Sequence, residues 1–245
     1  MSDQDDTENQ GYFPQTQWTI VVKARDGGDQ TVTDALSGLC YTYWKPVYAF
    51  IRRSGKSSHD AEDLTQGFFA DLLGRNFLDN VSADKGKFRS FILTAVKNFL
   101  AKDWRKQNAQ KRGSGITPLS LDFEEAENSF QAQETTQVSP DLAFERQWVL
   151  ALLDSVMSSL ELEYANTGKA KLFDAIKGGL TASGQTATQA EIAAQLDMQE
   201  GAVKVAAHRL KKRYREALKA EIARTINEND DLDAELGYLM NVFAR

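Results

Sequence analysis

Cysteine occurs once in the 245 residues and histidine only twice, at His59 and His208. A single thiol, Cys40, excludes an intrachain disulfide and a thiolate metal cluster, and a reducing compartment is its natural setting. It stands among the aromatics of LCYTYWKPVYAF and reads as buried filler rather than a reactive group. Two histidines, no Cys–His ligand spacing and no Gly-rich phosphate loop argue against an enzyme, so no catalytic residue, metal or cofactor is expected. No apolar run approaches the roughly 20 residues needed to span a bilayer. The opening MSDQDDTENQGYF is acidic and has no apolar centre of a signal peptide. A soluble, cytoplasmic protein with no membrane partner is the expectation. Proline is also scarce, with four in the chain, while Ala, Leu, Gln, Glu and Lys dominate the second half. That balance favours helices, and the expected fold is all-α.

What is present is charge, unevenly placed. From Lys85 to Arg112 there are nine Lys or Arg against one acid, Asp103. From Gly113 to Glu145 there are seven acids and no base, and from Lys204 to Lys219 seven bases against Glu216. A formal net charge of −6 therefore hides two basic modules joined by an acidic strap. Asymmetry of this kind speaks of polyanionic partners. The strap GSGITPLSLDFEEAENSFQAQETTQVSP has no sustained apolar period and reads as a flexible linker. The chain divides accordingly into two helical domains, at 10–112 and 141–224, a linker at 113–140, and a helical extension at 225–245.

Ser57 followed by Asp60 has the spacing of a capping box, and Ala61, Leu64, Phe68 and Leu72 then recur at helical spacing. Glu62, Asp63, Gln66 and Gly67 fall on another face, and with no metal-ligand companions they read as an interaction surface. Residues 74–87 read as a loop. FRSFILTAVKNFLAKDWRKQNAQKR resumes helical periodicity, with Phe88, Phe91/Ile92, Ala95 and Phe99 inward and Trp104 a candidate to join them. Aromatics interleaved with bases suit unpaired nucleic acid, although Phe91 and Phe99 at helical spacing read better as core. Upstream, TDALSGLCYTYWKPVYAFIRR predicts one or two helices interrupted near Pro46. In the second half, Phe144, Trp148, Leu152, Val156 and Leu160 mark an amphipathic helix. The extension carries a further apolar stripe at Leu232, Leu236, Leu239/Met240 and Phe243. It either packs on the second domain or binds a regulator in trans.

TQAEIAAQLDMQEGAVKVAAH places a second capping box at Thr188 and Glu191, inward Ile192 and Leu196, a broken turn, and a restarted stripe at Val203 and Ala206. Small Ala193 suits close approach of two crossing helices. This is the pattern of a helix-turn-helix, whose second helix enters a major groove. Lys204, His208 and Lys211/Lys212 share the face opposite Val203 and Ala206, where cations would neutralise phosphates. Asp197 occupies the turn position where Gly is usual, and Asp tolerates a left-handed backbone.

HDAEDLTQGFFADLL, then KGKFRSFILTAVKNFLAKDWRKQNAQKR, then TQAEIAAQLDMQEGAVKVAAHRLKKRYREAL resemble, in that order, bacterial extracytoplasmic-function (ECF) sigma factors of the sigma-70 superfamily. FPQTQWT near the start and DLDAELGYLMNVFAR at the end resemble a planctomycete-like subgroup. The resemblance implies a factor that binds core RNA polymerase, through its largest and second-largest subunits, and directs promoter-specific initiation. It implies docking on polymerase through Glu62, Asp63, Gln66 and Gly67, the last standing where an acid is common. It assigns −10 melting and recognition to Asn80, Lys85, Lys87, Phe88, Arg89, Lys97, Asn98, Lys102 and Arg105, with Lys97–Asn98 matching a basic–Asn pair. It assigns −35 contact to Lys204, Val205, His208, Arg209, Lys211 and Lys212. Val205 and Ala206 replace a common Ser–Arg, so the promoter sequence does not carry over. The acidic strap becomes either a thread through the polymerase's transcript channel or a solvated tether. Promoter DNA is the second partner, and an anti-sigma protein or other regulator a third that the sequence leaves open. The competing reading is an autonomous helix-turn-helix regulator that binds duplex DNA without polymerase.

Overall fold

The computed structural model describes residues 30–73, 87–107, 121–132, 138–180, 187–226 and 230–244. These residues hold no strand and form nine α-helices: α1 (Gln30–Arg53), α2 (Ser58–Leu73), α3 (Phe88–Gln107), α4 (Phe123–Ala132), α5 (Pro140–Asn166), α6 (Ala170–Ile176), α7 (Gln189–Leu196), α8 (Glu200–Ala223) and α9 (Leu232–Ala244). None of these helices is long and apolar enough to cross a membrane.

The expected break near Pro46 does not occur, because α1 runs through it. Proline removes one backbone hydrogen bond and costs a helix interior about 3 kcal/mol. Trp44, Val47, Tyr48 and Ile51 around it are all buried, and their burial outweighs that loss. The Ser57 cap forms as expected: its hydroxyl oxygen accepts from the Asp60 amide at 3.1 Å, and its O–H donates to the Asp60 carboxylate at 2.7 Å. Ala61, Leu64 and Phe68 are then buried, with Leu72 packed against the same core. Ser139 caps α5, accepting from the Leu142 amide at 3.2 Å with Pro140 in the first turn.

Two apolar cores form, and they share helices. The first gathers α1, α2, α3, α4, the N-terminal half of α5, Ile222 of α8 and Leu239 and Val242 of α9. The second holds Val156 and Leu160 of α5, Phe173 and Ile176 of α6, Ile192 and Ala193 of α7, and Val203 and Leu210 of α8. The stripe Phe144–Trp148–Leu152–Val156–Leu160 is buried along its whole length, as its periodicity predicted. Its first three members lie in one core and its last two in the other. The boundary between cores therefore falls inside α5, rather than at residue 141.

The acidic strap also differs from a plain tether. Residues 123–132 form α4, laid on α1. Phe123 meets Trp44 edge-on at 5.4 Å, and Glu127 accepts from Arg52 Nε and Nη2 at 2.8 and 2.7 Å and from the Tyr48 hydroxyl at 2.6 Å. Lys45 donates to Glu125 at 2.8 Å, and the Arg52 and Arg53 guanidinium groups lie 4.5 and 4.9 Å from the Phe130 ring. Asp122 accepts from the Glu125 amide at 3.0 Å and so opens the helix. Polar composition hid this element, since only Phe123, Ala126 and Phe130 supply its apolar face.

Candidate nucleic-acid interface

The C-terminal cationic surface is built on α7 and α8. At the start of α7 the expected capping box is complete: Thr188 Oγ1 accepts from the Glu191 amide at 3.3 Å, and the Glu191 carboxylate accepts from the Thr188 amide at 2.7 Å. That backbone hydrogen bond, with a second from the Thr188 hydroxyl, holds the Glu191 carboxyl below its usual range. Asp197 ends α7 in the left-handed region, at φ 52 and ψ 47. The turn then reverses the chain, with the Met198 amide donating to the Ala193 carbonyl at 2.9 Å.

Buried Ile192, Ala193, Val203 and Leu210 fix the two helices together. Lys204, Val205, His208, Arg209, Lys211 and Lys212 are consequently all exposed on the outer face of α8. Arg213 is drawn aside by Glu163 at 3.0 Å, and Lys212 lies 3.9 Å from Glu216. Among the described residues Lys204, Arg209 and Lys211 have no ion-pair partner, so their charge faces outward.

The other candidate surface is α3, and its residues separate. Lys97, Asn98 and Lys102 are exposed. Trp104 is exposed too, at 64 %, so it does not continue the inward stripe. Phe88, inward by its periodicity and a DNA contact by the resemblance, is core: it is 2 % exposed and meets the Tyr43 ring edge-on at 5.5 Å. Arg89 is likewise buried, at 3 % exposure, rather than offered to solvent. Its Nε donates to Glu145 at 3.2 Å, its Nη1 donates to Glu235, and its guanidinium lies 5.0 Å from the Trp148 ring and 5.2 Å from the Tyr238 ring. Burial alone would lower the Arg89 pKa, but the Glu235 hydrogen bond and the charges of Glu145 and Glu235 outweigh it and raise it. Burial raises the Glu145 carboxyl against the opposing pull of Arg89. Lys87 donates to Glu235, and Lys97 to Asp141. Asn80 and Lys85 lie outside the described residues, as does the Arg105 side chain.

The α2 surface presents Asp63, exposed, beside half-buried Glu62 and Gln66. His59 lies 3.8 Å from Asp63 across one turn. Gly67 faces inward enough that a Cβ there would sit 3.4 Å from the Phe99 ring. That is an ordinary van der Waals contact, so packing does not exclude a side chain at this position. Sequence reasoning missed the carboxylates Asp141, Glu145 and Glu235 as partners of α3. Their only advance signal was the opposite charge of segments far apart in the chain. Burial pushes the Cys40 thiol up to about 12, which keeps it unreactive. Among the described residues no three His, Cys, Asp or Glu cluster as metal ligands would.

Described residues that are helical throughout and bear two separate cationic helices define the class. Within it, residues 41–110 match the family described as Sigma-70 region 2, a span that takes in the C-terminal half of α1 and all of α2 and α3. The match supports a sigma-70 family member. No curated protein and no solved structure matches the chain.

Proposed function

We propose that the protein is an ECF-type sigma factor: it binds core RNA polymerase and directs promoter-specific initiation, melting the −10 element with α3 and gripping the −35 element with α8. The observation that carries this reading is the Sigma-70 region 2 match over 41–110. The exposed cations of α8, carried behind a tight left-handed turn, support a helix-turn-helix as the second DNA-binding element. Asp63 with Glu62 and Gln66 forms the polymerase-docking face, and Lys97, Asn98, Lys102 and Arg105 follow the unpaired strand. Exposed Trp104 joins them as a ring on which a base stacks. The chain works as a binding subunit, with no reaction, metal or cofactor of its own, in the compartment that holds polymerase and promoter. Its sequence ends support the planctomycete-like subgroup.

The test is run-off transcription from genomic fragments by core polymerase with and without the protein. Initiation at new start sites only when the protein is added is expected; initiation nowhere refutes the reading. The charge reversal Asp63→Lys, at an exposed site, is expected to abolish co-purification with polymerase while leaving the helical circular-dichroism spectrum unchanged. Unchanged co-purification removes the docking face. An autonomous regulator would instead shift an operator fragment tightly without polymerase.

A further inference from the structure

Three carboxylates from the C-terminal half close over the N-terminal half of α3. Glu235 holds Lys87 and Arg89, Glu145 holds Arg89, and Asp141 holds Lys97. The cover is more than a charge contact. Tyr238 lies over both cations, 6.0 Å from Lys87 Nζ, and the Thr225 carbonyl ahead of α9 accepts from the Phe88 amide at 3.4 Å. Glu235 is 2 % exposed, so a carboxylate and a guanidinium are both taken out of water here. Such a pair gives little net stability compared with an apolar contact of the same volume. What the cluster does offer is exchange: Arg89 turns Nη1 to Glu235 and Nε to Glu145, and the same guanidinium donors can bind phosphate oxygens. Lys87 remains a third exposed at the rim, where an incoming phosphate can begin that exchange.

We propose that the C-terminal helix α9 is a built-in cover for the DNA-facing edge of α3: in the free chain Glu235 occupies Lys87 and Arg89, and the backbone of a single-stranded DNA displaces it. The inference rests on the proposed function, since it takes α3 to be the strand-binding helix. It also explains how Arg89 can be both buried and a DNA contact. The covered form holds the two cationic helices within one packed body.

The experiment uses the full chain and two variants, Glu235→Gln and Tyr238→Ala, with binding of a fluorescein-labelled random-sequence single-stranded DNA pool read by anisotropy. Removing the cover is expected to tighten binding by about fivefold or more, the factor that follows when the competent form is a minor fraction of the free chain. Tyr238 is partly exposed, so its variant keeps the test open if Glu235→Gln loses its fold. Unchanged or weaker binding in folded variants overturns the proposal and makes α9 a fixed strut. A second arm reads geometry. Cys40 is buried, so nitroxides placed through Ser90→Cys on α3 and Ala234→Cys on α9, both exposed, label selectively. One short distance is expected in the free chain, replaced by a longer one when core polymerase and promoter DNA are added. A distance that stays short in a complex active in transcription overturns the cover and leaves the sigma reading standing. Absence of any polymerase complex refutes the sigma reading, and the anisotropy arm then decides the cover alone.

Discussion

Glu127 is held by Arg52, Tyr48 and Gln131, and its state sets a pH dependence that can be worked out in sign. Hydrogen bonds from Arg52, then from Tyr48 and Gln131, take its pKa from an ordinary 4.5 down to about 2. A group depressed on folding binds its proton more readily when unfolded, so it stabilises the fold above pH 4.5 and that contribution fades as pH falls towards 2. Glu145, raised by burial, acts in the opposite sense and in a different window: its penalty on the fold is relieved as pH falls towards 4.5, which leaves the limb below to Glu127. Glu127→Gln is therefore expected to flatten the fall in melting temperature between about pH 4.5 and 2, measured by circular dichroism. A limb of unchanged steepness assigns acid sensitivity elsewhere. Asp197 offers a second residue-scale test. Its φ of 52 costs a residue with a bulky β-carbon about 1–2 kcal/mol, which Asp evades by its short polar side chain. Asp197→Val is expected to lose that amount in urea unfolding, and Asp197→Gly to stay close to wild type.

Single helices were legible in the sequence wherever an apolar period met a cap. The Thr188–Glu191 box, the inward Ile192 and Val203 and the left-handed turn could all be read in advance, because each depends on neighbours within a few positions. Thr188→Ala should accordingly cost about 1 kcal/mol of stability, by chemical denaturation, as loss of an N-cap does. The outward Lys204, His208, Arg209, Lys211 and Lys212 were equally legible, as the face opposite the stripe. Helix α4 was not, since its stability comes from Arg52, Tyr48 and Trp44 some 75 residues earlier. The depth at which Phe88 and Arg89 are buried was hidden for the same reason. Periodicity names an inward face but not its depth, and the α9 carboxylate that buries Arg89 lies 146 positions away. A charged residue in a basic run reads as solvated until its distant partner is seen.

At the scale of the molecule, the decisive feature is that α5 and α8 each contribute to both cores. Two bodies on a flexible tether would unfold separately, each at its own temperature. A helix shared between cores cannot lose one of them cheaply, because melting half of α5 strips Phe144, Trp148 and Leu152 of their packing and leaves backbone groups of the remaining half unpaired. The free chain is therefore expected to give one heat-absorption peak in scanning calorimetry, with calorimetric and van't Hoff enthalpies equal. Phe69→Ala in the first core and Phe173→Ala in the second, each removing a ring that is 1 % exposed, should both shift that same peak downward. The cost per ring is about 3–5 kcal/mol. Two peaks, each moved by only one of the variants, would mean that the cores are energetically independent and that α5 is a hinge rather than a shared beam. The same measurement on Glu235→Gln bears on the cover: a modest downward shift with the peak still single means that α9 adds to a body already closed by α1 against α5. A split peak would mean that the ion pairs on α3, more than the apolar stripe, hold the two halves together.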